Sequence, residues 1–374
     1  MAEDLRHSAL HDLHVAGRAA LGEVDGWLLP RVYENIKREY LSAKGTVAVM
    51  DRSHLGRLRL TGAKRLDLLH RLTTNDVRSL TPGQGARTAL LTDKGRIVED
   101  LRLHALEDSV LLVTSPGNQA RVREILEKLR FRDDVTVEDV TTSTAMISLL
   151  GPQSGHLLEA VSSASGLAEL TPQHSVEIGL GGARVVAARC VDVGGRGFNL
   201  IVPSGAAPAV WSALFAKGDP YGASPCGEEA YEMLRIELGL PRFGRELTED
   251  HNPLEARLDD AISWTKGCYV GQEVVARLDS RHKVSKLLVG VWLEPGPVPE
   301  AGSPIESPSA PGVAAGVLTS VAPSLDFRRV IGLGYVRMEL AAAGTQLVAV
   351  SDGDRIGAEV SDLPFRPPGQ PAPA

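Results

Sequence analysis

A lysine and a cysteine that could do chemistry together stand in one short segment, residues 266–273, which reads Lys-Gly-Cys-Tyr-Val-Gly-Gln-Glu. The thiolate is the reactive form of cysteine, and a neighbouring ammonium group favours it. Cys268 and Lys266 are therefore the candidate catalytic residues. The alternative is an inert cysteine buried on a turn, because free cysteine usually behaves as a small apolar side chain.

The sequence after Cys268 predicts the element that positions it. Residues 272–281 have helical spacing, with three apolar side chains on one side. Cys268 would then precede a helix N-terminus, where unpaired N–H groups and the macrodipole favour an anion. Gly267 and Gly271 are expected to adopt backbone angles closed to other residues and to let a ligand approach closely.

The segment resembles the signature of the YgfZ family, folate-binding proteins related to the glycine-cleavage T-protein, an aminomethyltransferase. Through this motif the resemblance implies that Gly267, Tyr269 and Gln272 bind the folate beside Cys268. Weaker blocks in the same order extend the resemblance over roughly residues 30–365. These blocks are residues 51–53, 60–62, 72–76, 95–101, 197–200, 234–239, 244–247, 253–256, 316–320 and 331–334.

The fold class predicted from the pattern is α+β. Helical and strand-like segments interleave up to residue 283, and short β-like runs after it indicate a small all-β barrel. The resemblance implies a T-protein-like ring of three domains with folate in its central channel. The expected parts are an N-terminal lead (1–30), two α+β folate-binding parts (31–144 and 145–283), a C-terminal β-barrel (284–362) and a disordered tail (363–374).

Two positions depart from the T-protein pattern. T-proteins carry an aspartate near the reacting nitrogen of the folate where this chain has Glu99, and a glutamate against the pterin ring where it has Asn199. The extra methylene of Glu99 moves the carboxylate by roughly 1 Å, and such a misplacement can lower a rate by about 10²-fold. We therefore expect little or no aminomethyl transfer. A solvated strand carboxylate is the alternative for Glu99.

Arg235 lies in a helix predicted over residues 227–238, three residues after Glu232. The resemblance implies that its guanidinium contacts the folate, and a guanidinium suits a carboxylate or a pterin edge. The alternative is an ion pair on an exposed helix, which contributes only a few tenths of a kcal/mol.

A basic cluster follows the cysteine motif and consists of Arg277, Arg281, His282, Lys283 and Lys286. A charge run of this kind is usually a solvated face. The functional alternative is an anion cradle beside Cys268 for a polyglutamate tail or an RNA phosphate.

Histidines in the N-terminal lead have a spacing that metal sites use. His7, His11 and His14 share one helical face. No carboxylate pattern accompanies them, so we interpret them as exposed histidines on a frayed segment and predict no metal site.

Composition excludes several classes of protein. The chain of 374 residues has a net charge of −7, without the broad basic field of a nucleic-acid binder, so no direct nucleic-acid partner is expected. Three cysteines without zinc or redox spacing favour a reduced compartment. No apolar run approaches the ~20 residues that cross a bilayer, so we expect a cytoplasmic protein with no membrane partner.

The function predicted first is a folate-binding accessory protein for iron–sulfur cluster assembly or repair, as the YgfZ resemblance implies. Its partners would be folate and iron–sulfur client or assembly proteins, including enzymes that modify tRNA. Tetrahydrofolate or another folate is the expected cofactor, with a possible transient iron–sulfur cluster, which a single cysteine cannot hold alone. The alternatives are a tetrahydrofolate-dependent aminomethyltransferase or demethylase, and a folate-binding regulatory module without catalysis.

Overall fold

A computed structural model describes residues 5–190, 197–281 and 283–366. The chain divides into two compact units. The first unit comprises Met1–Leu90, Glu99–Tyr231 and Asp260–Val270, and the second comprises Leu91–Val98, Glu232–Asp259 and Gly271–Ala374.

Helices and strands alternate along the first two thirds of the chain. Up to residue 114 they are β1 (Arg6–His7), α1 (His11–Ala16), β2 (Ala20–Val24), β3 (Trp27–Val32), α2 (Ile36–Gly45), β4 (Val47–Asp51), β5 (Gly56–Thr61), α3 (Arg65–Leu72), β6 (Gly85–Leu91), β7 (Ile97–Ala105) and β8 (Ser109–Thr114). Up to residue 237 they continue with α4 (Gln119–Leu129), β9 (Thr136–Asp139), β10 (Thr144–Leu150), α5 (Ser154–Ser162), β11 (Ser175–Leu180), β12 (Ala183–Cys190), β13 (Gly197–Pro203), α6 (Ala207–Ala216), β14 (Ala223–Pro225) and α7 (Glu228–Glu237).

Strands dominate the remaining third. Its elements are α8 (Gln272–Ser280), β15 (Lys286–Leu293), β16 (Pro304–Ser307), β17 (Ala310–Ser324), β18 (Arg329–Arg337), β19 (Gln346–Ser351) and β20 (Asp354–Ser361). The helix predicted over 272–281 is therefore present and ends one residue earlier.

Two larger sheets organise the first unit. One has the strand order β6-β7-β8-β5-β9, and the other has the order β11-β12-β13-β10-β4-β14. Leu111 of the first sheet and Ile201 of the second share a buried apolar cluster with Val140, so the two sheets pack on each other there. This arrangement is the α+β architecture that the sequence predicts.

The second sheet contains strands from both sides of the domain boundary expected between residues 144 and 145. Strand β4 pairs antiparallel with β10, although the boundary assigns them to different parts. The reason is that β4 is entirely buried and therefore takes an interior position between β10 and the short strand β14. Residues 47–51 thus belong to the same sheet as residues 144–203.

The N-terminal lead is a folded part of the first unit. Leu10 is fully buried in the apolar core of the second sheet. His14 is also fully buried, with Nε2 2.8 Å from a carboxylate oxygen of Asp51 and Nδ1 2.8 Å from the Tyr33 hydroxyl. His7 is exposed, as interpreted, but it lies in strand β1, which pairs with β3, so the segment is not frayed. Exposure is the wrong interpretation for His14, whose buried imidazole has two hydrogen-bond partners.

The strands after residue 283 form a closed barrel, as predicted. Within residues 283–366 they close in the order β15-β18-β17-β16-β19-β20, because β15 pairs antiparallel with both β18 and β20. Val289, Val291 and Leu293 alternate along β15 and all lie in the barrel core, which is the two-residue period of a strand.

The beginning of the predicted tail is ordered against the barrel. Phe365 is buried, its N–H donates to the carbonyl of Glu237 at 2.8 Å, and its ring centroid lies 4.7 Å from that of Trp292. Disorder is therefore the wrong prediction for residues 363–366, whereas residues 367–374 lie outside the described residues.

One glycine of the cysteine motif is required by the backbone and the other is not. Gly271 caps α8 with φ +84°, and a Cβ there would lie 2.7 Å from the carbonyl oxygen of Thr92. A Cβ on Gly267 would meet nothing within 4 Å, and its φ lies outside the left-handed range. The close approach at Gly271 is made by the turn at Thr92–Gly95 of the second unit. The expected backbone role of Gly267 is therefore wrong.

We predict that Gly271→Ala lowers the free energy of unfolding by about 2 kcal/mol. A left-handed residue with a Cβ costs roughly 1–2 kcal/mol, and the contact with Thr92 adds to this. Gly267→Ala is the matched control and should stay within about 0.5 kcal/mol of the parent chain. Urea unfolding of both variants measures the difference, and a larger loss for Gly267→Ala would contradict this account of the motif.

Candidate functional site

Cys268 is the exposed cysteine of the chain. Cys190 at the end of β12 and Cys226 after β14 are both buried, and none of the three is in a disulfide. Burial raises the pKa of the Cys226 thiol, which keeps that thiol protonated and unreactive. The alternative of an inert, buried cysteine is therefore wrong for Cys268. Its catalytic role stays a prediction.

Lys266 is held by backbone carbonyls rather than presented to solvent. Its Nζ donates to the carbonyl oxygens of His70, Thr73 and Asn75, the last two at 2.6 and 3.0 Å. These carbonyls lie at and after the C-terminal end of α3, where unpaired carbonyls and the helix dipole favour a cation. All three N–H groups of the ammonium are thereby used, and burial lowers the pKa of Lys266 to about 8.

The bonds of Lys266 fix the start of the cysteine segment. Tyr269 is buried as well, and the Lys266 Nζ lies 5.2 Å from the centroid of its ring. Burial also raises the pKa of the Tyr269 hydroxyl. Cys268 is thus the exposed residue between two anchored side chains. Gln272 begins α8. Ligand binding by Gly267, Tyr269 and Gln272 stays a prediction.

Glu99 is buried on β7 in a ring of hydrogen-bond donors. Its Oε1 accepts from the Ser115 hydroxyl at 2.7 Å and from the backbone N–H of Asp100 at 2.9 Å. Its Oε2 accepts from the Ser115 N–H at 3.2 Å and from Asn118 Nδ2 at 2.8 Å. Burial raises the pKa of Glu99 to about 7 despite these donors. The alternative of a solvated strand carboxylate is therefore wrong.

The neighbouring carboxylate forms an ion-pair network that the sequence did not reveal. Arg87 on β6 donates through Nε and Nη2 to the two oxygens of Asp100, at 2.9 and 2.8 Å. Its Nη1 lies 3.0 and 3.1 Å from the two oxygens of Asp260. Alternation along a strand predicts that Glu99 and Asp100 face different surroundings, and on β7 they have different partners. No sequence signal links Asp260 to a strand more than 150 residues earlier.

Asn199 lies buried on β13 beside the neighbouring strand β10. Its side-chain oxygen accepts from the Ser148 hydroxyl at 2.6 Å. Among the described residues no acceptor takes the N–H groups of its amide, so these donors remain free for a ligand. The prediction that Asn199 binds the cofactor is compatible with this geometry and stays a prediction.

Arg235 is saturated by protein acceptors in the second unit. Its Nε and Nη2 donate to the two oxygens of Glu232 at 2.8 and 2.9 Å. Its Nη1 donates to Leu240 O and to Glu246, and its Nη2 also donates to the Ser320 hydroxyl at 2.6 Å. These bonds use all five donors of a guanidinium. The ion pair with Glu232 exists, but it is buried rather than exposed, and a folate would contact Arg235 only by displacing one of these partners.

The basic cluster does not form one structured site in the described residues. Arg277 and Arg281 are exposed, and the Lys286 Nζ donates to the carbonyl of Asp250 at 3.2 Å. His282 lies outside the described residues. Over residues 5–190, 197–281 and 283–366, no three His, Cys, Asp or Glu side chains are grouped to hold a metal ion. In the same part of the chain, no helix is long and apolar enough to span a membrane.

We predict that Cys268 is the first thiol to be alkylated in the folded chain. The reason is its exposure, whereas iodoacetamide reaches Cys190 and Cys226 only after local opening. Peptide mapping after short reaction times measures the order of labelling. Labelling of Cys190 or Cys226 before Cys268 below about pH 8, close to the ordinary range of thiols, would refute the prediction.

Comparisons with known proteins agree along the whole chain. Residues 10–266 match the family described as the GCVT N-terminal domain, and residues 286–366 match the glycine cleavage T-protein C-terminal barrel domain. The chain is 29% identical over 373 residues to an aminomethyltransferase of Symbiobacterium thermophilum, with 98% of each chain covered. It is 30% identical over 369 residues to an aminomethyltransferase of Shouchella clausii, with 98% of this chain and 99% of that protein covered.

Two further similarities complete the comparison. The chain is 32% identical over 328 residues to a putative chloroplastic transferase of Arabidopsis thaliana, covering 85% of this chain and 71% of that protein. The crystal structure of the glycine cleavage system aminomethyltransferase T of Bartonella henselae superposes with a TM-score of 0.88 at 26% identity, over 97% of this chain and 98% of that chain. These names favour the aminomethyltransferase alternative over the accessory function predicted first, and the narrower YgfZ resemblance stays a prediction. The chain, with its α+β sheets and C-terminal barrel, belongs to the glycine cleavage T-protein family.

Proposed function

We propose that this chain binds tetrahydrofolate and transfers an aminomethyl group to it, as a T-protein-type aminomethyltransferase. The observation that carries the proposal is the end-to-end similarity to proteins named aminomethyltransferase, which includes both the N-terminal domain and the barrel. A match confined to one domain would support a shared fold alone.

Two buried side chains of the first unit fit this substrate. The free amide N–H groups of Asn199 can donate to the polar edge of a pterin ring. Glu99 has a pKa raised by burial to about 7, so both its acid and its carboxylate forms are populated near neutral pH. When a folate nitrogen forms a bond to the transferred carbon, the bond from that carbon to the carrier breaks and the nitrogen loses a proton. A carboxylate tuned to this range is a suitable acceptor for that proton. Arg235 does not fit, because its donors are already used.

We predict measurable transfer from an aminomethyl-loaded carrier protein, at about 1 s⁻¹ or more, with a rate that rises with pH through about 7. The rise reflects deprotonation of Glu99, because only the carboxylate form accepts a proton. The Glu99→Gln variant should transfer the group about 10²–10⁴-fold more slowly than the parent chain, and its rate should no longer depend on pH in this range.

Glu138→Gln is the matched control, since this carboxylate is exposed on β9 of the same sheet and should retain the parent rate. Formation of the folate product is followed from pH 5.5 to 8.5, roughly the interval around this pKa. A folded chain without turnover at any pH would refute aminomethyl transfer. It would support the expectation of little or no transfer that the departures at Glu99 and Asn199 suggest.

A second candidate function is carried by the exposure of Cys268 within the YgfZ-like motif. In this function the chain supports the assembly or repair of iron–sulfur clusters, with the thiol as a transient ligand or redox partner. A glutathione, a partner protein or a second copy would supply the remaining ligands. Thiol chemistry of this kind requires Cys268 to be accessible, which it is.

We predict for this function that Cys268→Ser and Cys268→Ala both fail to restore a [4Fe–4S] enzyme in a deletion strain. A serine hydroxyl stays protonated near neutral pH and is a poor ligand for iron, while the exposed site should lose less than about 1 kcal/mol of stability. Thr265→Ala, an exposed neighbour, is the control and should restore activity. Full rescue by Cys268→Ser would remove the thiol mechanism without affecting the folate assay.

A further inference from the structure

A small cavity lies in the first unit between the start of α2 and the short strand β14. Its volume is about 110 Å³. At about 30 Å³ for each water-sized group, it has room for roughly three or four non-hydrogen atoms. It is lined by Tyr33, Glu34, Asn35, Arg38, Glu39, Phe215, Ala223, Ser224 and Pro225. The candidate residues for folate and thiol chemistry are not among them.

The hydroxyl group of Ser224 is a buried polar group that a ligand in this cavity could satisfy. Ser224 is 7% exposed, and in the described part of the chain its Oγ has no hydrogen-bond partner. A buried polar group left without a partner is unfavourable by about 1–3 kcal/mol, and most such groups in proteins are satisfied. Because Ser224 lines the cavity, a bound donor or acceptor there would satisfy it.

A buried carboxylate on the same cavity indicates the charge of that ligand. Glu39 is 3% exposed, and its oxygens accept from the backbone N–H groups of Tyr33 and Gly227, both at 2.8 Å. No cationic side chain forms an ion pair with Glu39 in the residues that the structure describes. Buried charges in proteins are ordinarily paired, so the cavity has an acceptor site for a cation.

A cationic side chain lines the cavity, but it is paired with a different carboxylate. Arg38 donates through Nη1 to Glu34 at 2.7 Å, and both side chains are largely exposed. Arg38 and Glu34 neutralise each other, so Arg38 does not form an ion pair with Glu39. Burial raises the pKa of the nearby Cys226 thiol, Glu39 and Glu228 raise it further, and Arg52 lowers it.

Aromatic rings form part of the wall. Tyr33 and Phe215 pack against the apolar core of the second sheet, and the hydroxyl of Tyr33 is fixed by its hydrogen bond to His14. The face of an aromatic ring attracts a cation within about 6 Å of its centroid. Aromatic rings, a carboxylate and an unsatisfied hydroxyl are together groups that can recognise an organic ammonium ion.

We propose that this cavity binds a small primary alkylammonium ion of about the size of ethylammonium. Its N–H groups donate to Ser224 Oγ and toward Glu39, while its carbon atoms contact Tyr33 and Phe215. A neutral alcohol of the same size lacks the charge that Glu39 attracts. The site is independent of the proposed aminomethyl transfer and stands or fails without it.

The experiment follows the methyl group of Ala223 by NMR in protein labelled with ¹³C-methyl alanine. Ethylammonium chloride is titrated at constant ionic strength against potassium chloride, and ethanol serves as the neutral probe. We expect saturable movement of the Ala223 signal with a dissociation constant on the order of 1 mM, near the limit for three non-hydrogen atoms. The signal of Ala349, in the barrel, should not move.

Variants locate the binding. Ser224→Ala should weaken it about 5-fold, the effect of one lost hydrogen bond, and Phe215→Leu should weaken it as well. Ser212→Ala, exposed on α6, is the matched control and should bind as the parent does. Glu39→Gln should abolish binding. If the Glu39→Gln variant does not fold, the affinities of Ser224→Ala and Phe215→Leu for ethylammonium still test whether it binds in this cavity.

Three results would overturn the proposal. They are an Ala223 signal that ethylammonium does not move, equal movement with ethanol or potassium chloride, and unchanged affinity in both Ser224→Ala and Phe215→Leu.

Discussion

The ammonium group of Lys266 is the contact on which the position of the cysteine segment depends. It replaces hydration with three backbone carbonyls beyond the end of α3, so it satisfies carbonyls that a helix terminus leaves unpaired. Without this contact, only the buried Tyr269 would anchor the exposed Gly267 and Cys268. With it, the thiol lies between a fixed lysine and a buried tyrosine, which is the pre-organisation that chemistry or partner binding requires.

Saturation of hydrogen bonds identifies two fully buried arginines of this chain as structural charges. Arg235 has five acceptors, and Arg57, also fully buried, donates to backbone carbonyls and a threonine hydroxyl, with a pKa lowered to about 10 by burial. Breaking either network would leave a buried charge unpaired, which is strongly destabilising. Asn199 and Ser224 are different, because each retains polar capacity that the protein does not use. A ligand is most readily accommodated where such capacity remains.

The sequence predicted local features better than long-range ones. The helix after Cys268 and the barrel strand around Val291 follow from periodicity and residue type, which act over a few residues. The sequence predicts that Lys266 favours the Cys268 thiolate and that Arg235 contacts the folate, because the partners that hold these side chains lie far away along the chain. Lys266 binds carbonyls almost 200 residues earlier, and Ser320, which holds Arg235, lies 85 residues later. Such pairs are fixed by the packing of distant elements, and sequence spacing carries no trace of them.

The two candidate functions place different demands on the same structure. Aminomethyl transfer requires a proton acceptor that is matched to neutral pH, and burial has tuned Glu99 to that range even though its carboxylate is enclosed by four donors. Thiol chemistry requires access from solvent. Cys268 is exposed, whereas Glu99 is fully buried. A folate that reaches Glu99 must therefore open the ring formed by Ser115 and Asn118.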